Sequence, residues 1–143
     1  MNPTPSSTDK VSIVLFSGTT DKLMAASVIA SGAAAMQKQV TIFLTFWGLM
    51  AFRKGAKEQP PRISADFADF AEAAMQAMQA KKVPHWLDTL RDAMDLGDVK
   101  VKACGLTMDL FGLKLEDLEP VVHEVTGVGS FVEDSKGGQT LFI

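Results

Sequence analysis

A chain of 143 residues, 47% apolar and 22% charged, is long enough for one domain with a real core. Its net charge of −3 and its lack of any basic run give no electrostatic case for nucleic acid. A lone cysteine excludes an internal disulfide, and no basic flank followed by an apolar stretch marks a signal peptide, so a cytoplasmic protein is expected.

Residues 1–9, rich in Pro, Ser and Thr, are expected to be a flexible N-terminal segment, and residues 10–143 a single domain. Residues 11–16 are a nearly continuous apolar run, broken by Ser17, Gly18, Thr19 and Thr20, which predicts a buried parallel strand and a turn. Thr20 or Asp21 is suited to cap a helix over 21–37. Within it Leu23, Ser27, Ala30 and Ala34 recur at helical spacing, small enough for close approach to a sheet. Residues 39–46 predict a second strand, giving a strand–helix–strand unit with a right-handed crossover.

The two apolar stretches 23–35 and 40–52 are separated by Gln37, Lys38 and Gln39, and each falls short of the roughly 20 apolar residues that span a bilayer. Peripheral membrane attachment through Phe46, Trp47 and Leu49 remains open. A short helix after Trp47 ends near Gly55, and Pro60 and Pro61 fix a loop. A helix over 64–82 then carries Phe67, Phe70, Ala71, Ala74 and Met78 on one face, a stripe expected to serve as core or subunit contact. Leu87, Leu90 and Met94 line the next helix, 86–96, which Gly97 stops.

Residues 99–103 alternate as a third strand that delivers Cys104, and a helical turn follows up to Gly112. A short helix over 114–118, a strand over 121–125, a helix over 130–136 and a closing strand over 140–143 complete the chain. The alternation predicts an α/β protein with an open, doubly wound sheet of five strands. In such sheets ligands bind at the carboxyl ends of the strands. Three loops with helix-start character fall there, at 17–21, 46–48 and 104–108.

Cys104 therefore invites two readings, a reactive thiolate stabilised by helix-start amides or a buried structural thiol. The Gly105, Leu106 and Thr107 amides are candidate donors to its anion. Lys102 is in phase with Cys104 and offers either a positive charge to the thiolate or a solvated strand-end lysine. Lys22, in the first turn of a helix, opposes the helix dipole, which hints at an anionic site nearby. Gly18 and Trp47 complete the loop candidates, with Trp47 as a pocket wall or a subunit contact. His85 and His123 lack metal-ligand spacing, and no dinucleotide or phosphate-loop pattern follows the first strand, so neither metal nor cofactor is expected.

Four pieces of the chain resemble a known family: residues 17–22 (Ser-Gly-Thr-Thr-Asp-Lys), 45–49 (Thr-Phe-Trp-Gly-Leu), 103–109 (Ala-Cys-Gly-Leu-Thr-Met-Asp) and the terminal Leu141, Phe142, Ile143. Together they are similar to the DsrE/DsrF-like family, and more narrowly to its DsrE2 branch, often labelled peroxiredoxin-like. At Leu106, Thr107 and Met108 the chain differs from that branch's commoner Met-Ser-Met. The resemblance implies a flavodoxin-like, three-layer α/β sandwich with a mainly parallel sheet, assembled into homo-oligomers. It implies a sulfur carrier or sulfurtransferase-like protein in which Cys104 holds a persulfide or thiosulfonate and passes sulfur to a TusA-like carrier or another thiol protein. The rival expectations are a thiol peroxidase, which lacks a resolving cysteine here, and a non-catalytic oligomeric binding subunit.

Overall fold

A computed structural model describes residues 9–143, so the expected flexible segment 1–9 lies outside the described residues except for Asp9. Five strands, β1 (Lys10–Leu15), β2 (Gln39–Leu44), β3 (Val99–Cys104), β4 (Val122–Thr126) and β5 (Gln139–Phe142), form one sheet in the order β4-β3-β2-β1-β5. Every pairing is parallel. The helices are α1 (Thr20–Ala35), α2 (Phe46–Ala51), α3 (Ala71–Ala80), α4 (Trp86–Leu96), α5 (Gly105–Phe111) and α6 (Val128–Ser135).

The connections from β1 through β4 all step one way across the sheet, and the last returns to the far side of β1. Right-handed crossovers therefore put α1 and α4 together on one face and α6 on the other. The α1/α4 face holds the main core. Val11, Ile13 and Leu15, Val40, Ile42 and Leu44, and Val99, Val101 and Ala103 point into it from alternate strand positions. Leu23, Ser27, Ala30 and Ala34 of α1 are all buried there, as their helical spacing predicts. The Ser27 hydroxyl is satisfied within the helix by the Leu23 carbonyl at 2.9 Å.

The α6 face is built differently. Near the amino ends of the strands it is polar, and Lys102 bridges Glu124 at 3.3 Å and Asp134 of α6 at 3.5 Å. Near the carboxyl ends it turns apolar: Phe43, Cys104 and Phe131 form a small separate cluster, with Val14 packed beside it. The Phe43 and Phe131 rings stack at 4.6 Å and 11°. Phe131 is the one buried residue of α6, so a single side chain fastens that helix over the thiol.

The segment between α2 and α4 departs from expectation. In place of one helix over 64–82, a 3-10 turn (Ala65–Phe70) distorted at Phe67 (φ −123°, ψ 24°) leads into α3. Neither the turn nor α3 has a buried residue, and Phe67 and Phe70 are 58% and 60% exposed. Their stripe is therefore not part of this domain's core. Thr20 and Asp21 do not cap α1 either. Thr19 is its N-cap residue, while Thr20 and Asp21 hold the incoming 62–64 segment: Thr20 Oγ1 accepts from the Arg62 amide, and Asp21 accepts from the Ser64 hydroxyl at 2.7 Å. Leu49 is fully buried, which removes it from any membrane-facing set; Trp47 is 53% exposed. Among the described residues no helix is long and apolar enough to cross a membrane.

Candidate functional site

Cys104 ends β3 and is the N-cap residue of α5. The parallel register pairs Leu44 with Ala103, so the next step brings Thr45 beside Cys104. The first turn of α5 folds Thr107 back under the same sulfur. The result is a small polar pocket in an apolar surround. The Thr107 hydroxyl, wholly buried, lies 3.2 Å from Thr45 Oγ1 and accepts the Phe46 amide at 3.2 Å.

Cys104 is 5% exposed. Burial by itself pushes its thiol up, but the Thr107 hydroxyl, the Thr107 amide, the Thr45 hydroxyl and the Leu106 amide together outweigh it, holding the pKa below the ordinary thiol range. The thiol makes no cap hydrogen bond of ordinary geometry; the donors act on the anion.

Phe46 has φ +46°, a left-handed conformation that costs a bulky residue about 1–3 kcal/mol. The strained turn aims its amide at Thr107. Backbone packing below holds it in place: a Cβ on Gly48 would collide with the Leu15 carbonyl, and one on Gly18 with the Trp47 carbonyl. Gly48 also donates to Phe16 O at 2.8 Å, so the loops after β1 and β2 lock together.

The candidate residues thus separate into two groups. Gly105, Leu106 and Thr107 lie with Cys104, Leu106 through its amide, since its side chain is 71% exposed. Gly18, Lys22 and Trp47 line a separate cleft of about 1330 Å³ on the α1 side, which Cys104, Thr45 and Thr107 do not line. Lys102 is held in its two ion pairs, with 14% of its side chain exposed. Cys104 lies at the carboxyl edge of the sheet, but between β2 and β4; the strand order reverses farther along, between β1 and β5.

Thr45, Phe43 and Phe131 are site residues that sequence reasoning did not single out, and Phe46 enters the site through its backbone amide. Thr45 carries a readable signal, a polar residue ending a buried strand next to the one that bears the thiol. Phe131 carries none, because its helix is too short to show periodicity. Among the described residues no three His, Cys, Asp or Glu side chains gather as a metal would require.

Comparison with known proteins agrees with this architecture. The profile of the DsrE/DsrF/DrsH-like family matches residues 7–142. The uncharacterized protein YrkE of Bacillus subtilis (strain 168) is 37% identical over 158 aligned positions, covering 95% of this chain and 98% of YrkE. Two solved structures share the fold. MTH1491 of Methanobacterium thermoautotrophicum, a protein of unknown function, matches with TM-score 0.54 and 17% identity over 94% of this chain and 98% of its own. YchN of E. coli matches with TM-score 0.55 and 14% identity over 94% and 99%. With a wholly parallel five-stranded sheet between helices and this near full-length match, the chain belongs to the DsrE/DsrF/DrsH-like family, which is associated with sulfur relay.

Proposed function

We propose that the chain is a sulfur carrier that holds sulfane sulfur on Cys104 and surrenders it to a partner thiol. The observation that carries this reading is the placement of Cys104 at the start of α5 beside the Thr45 and Thr107 hydroxyls, 3.2 Å apart, a setting that lowers its pKa and favours its thiolate. With thiosulfate, the thiolate attacks the sulfane sulfur. A bond forms between the two sulfurs, the sulfur–sulfite bond breaks, and sulfite leaves with the electron pair. A thiolate of the acceptor then attacks the outer sulfur of the Cys104 persulfide, and Cys104 departs as thiolate.

The tight roof suits a small donor species. Leu106 and Leu110, 71% and 59% exposed on α5, supply an apolar landing for a TusA-like carrier or another thiol protein. The reading includes self-association into a homo-oligomer, supported by the exposed Val128, Val132 and Phe142. Light scattering tests it.

The decisive experiment is intact mass after incubation with thiosulfate, tetrathionate or polysulfide. Wild type gains a sulfur adduct that dithiothreitol removes, and Cys104→Ser gains none. If Cys104 reacts only after unfolding, the proposal fails.

A further inference from the structure

We propose that the large cleft on the α1 side is a second binding site, built for a single-chain amphiphile with a carboxylate head. The cleft, about 1330 Å³, exceeds the roughly 300–1,000 Å³ of ordinary small-molecule pockets. Its cover is the 59–85 segment, fastened at both ends. At one end Thr20 and Asp21 grip Arg62 and Ser64. At the other, Trp86 is buried against Phe52 with ring centroids 4.9 Å apart. Between these anchors α3 makes its tertiary contacts chiefly with its own preceding 3-10 turn.

Among the described residues the apolar face of α3 is only partly covered. Ala71, Ala74, Met75 and Met78 lie at helical spacing, and all four are half-buried while none is buried. Met75 and Met78 face a cleft whose lining also includes Met24 and Met50, so four of the 8 methionines in the chain gather there. Unbranched thioethers repack around flexible apolar chains.

The charged residues of the lining are cationic but for one. Among the described residues Lys22, Lys54, Arg62 and Lys82 line the cleft and make no ion pair, while Lys57 is occupied by Asp88 at 2.8 Å. Asp66 is the lone acidic residue of the lining among the described residues. In a chain of net charge −3 this is a local reversal that attracts an anion. The rim is formed by the loop after β1, next to the position where strand order reverses, which is the common ligand position in open parallel sheets. Apolar lining, unpaired cations and excess volume together fit a carboxylate on an acyl chain better than a small anion, which would leave the methionines unused.

Trp47 and Trp86 both line the cleft, and they are the chain's 2 tryptophans, so intrinsic fluorescence reads its occupancy directly. Titration with dodecanoate below its micellar concentration is expected to give a saturable change. Lys22→Glu combined with Arg62→Glu and Lys82→Glu, with folding verified by circular dichroism, weakens it about tenfold or more. Met78→Glu weakens it too, while Cys104→Ser binds as wild type, separating this site from the sulfur chemistry. The proposal is overturned if no saturable change occurs. It is equally overturned if dodecyltrimethylammonium binds as well, if acetate or phosphate alone binds as tightly, or if the triple variant keeps wild-type affinity.

Discussion

The Phe46 amide donates to the Thr107 hydroxyl at 3.2 Å, and this bond decides how Thr107 meets Cys104. A hydroxyl has one proton to give. With one of its lone pairs engaged by Phe46, Thr107 can turn that proton toward the sulfur or toward Thr45, 3.2 Å away. Thr45 has the same choice, so the pair can present a donor to the thiolate whichever way it is oriented.

Thr107→Val is expected to raise the Cys104 pKa toward the ordinary thiol range by removing the largest favourable contribution, while Thr107→Ser preserves it. The pH profile of alkylation by iodoacetamide reads the change. Val also leaves the Phe46 amide without its acceptor, at a cost of about 1–3 kcal/mol in stability. Denaturant unfolding measures that loss.

Cys104 also contributes to stability in a pH-dependent way. Its pKa is depressed in the fold, so the thiolate's stabilising effect is complete above the unfolded thiol pKa and is lost as pH falls through the folded pKa. The stability difference between wild type and Cys104→Ser should therefore grow from neutral to alkaline pH. A difference that is flat with pH would contradict the depressed pKa.

Phe131→Ala should uncover the thiol, since Phe131 is the one buried residue of α6 and stacks on Phe43. Truncating a buried phenylalanine costs about 3–5 kcal/mol; Phe131→Leu is the milder companion. Both should speed reaction with a bulky aromatic disulfide more than with small iodoacetamide. Equal acceleration of the two reagents would mean that the roof does not control access.

Gly48→Ala should destabilise by about 1–3 kcal/mol through its clash with the Leu15 carbonyl, and Gly18→Ala similarly through Trp47. Gly129→Ala, in α6 with open space around the new methyl, is the control and should be neutral or stabilising. Thermal melts compare the three.

Asp21 is opposed by partial burial, yet its bonds with Ser64 and Thr19 hold its carboxyl below the usual range. Its stabilising effect is full above the unfolded carboxylate pKa and is lost as pH falls through the folded value. Acid should thus loosen the cover at Ser64, and Asp21→Asn should do so at neutral pH. Amide hydrogen exchange across residues 59–70 reports it.

The strands and the placement of Cys104 were readable because buried parallel strands write themselves as short apolar runs closed by turn residues. Thr45 was within reach: once β2 and β3 are paired in parallel, the residue after Leu44 falls next to Cys104. The 64–82 segment misled for a physical reason. Periodicity reports that Phe67, Phe70, Ala71 and Met78 share a face, but not whether the body offers a surface to receive it. The left-handed Phe46 left no trace either, since no local residue preference calls for that conformation; long-range packing of Gly48 on Leu15 and Gly18 on Trp47 accompanies it.

The single-helix roof has a consequence for the order of events during synthesis. α6 and β5 leave the ribosome after the other four strands, and β5 must cross the whole sheet to pair with β1. Phe131 follows Thr45, Cys104 and Thr107 in sequence, so the ring that covers the thiol is synthesised after every other part of the site.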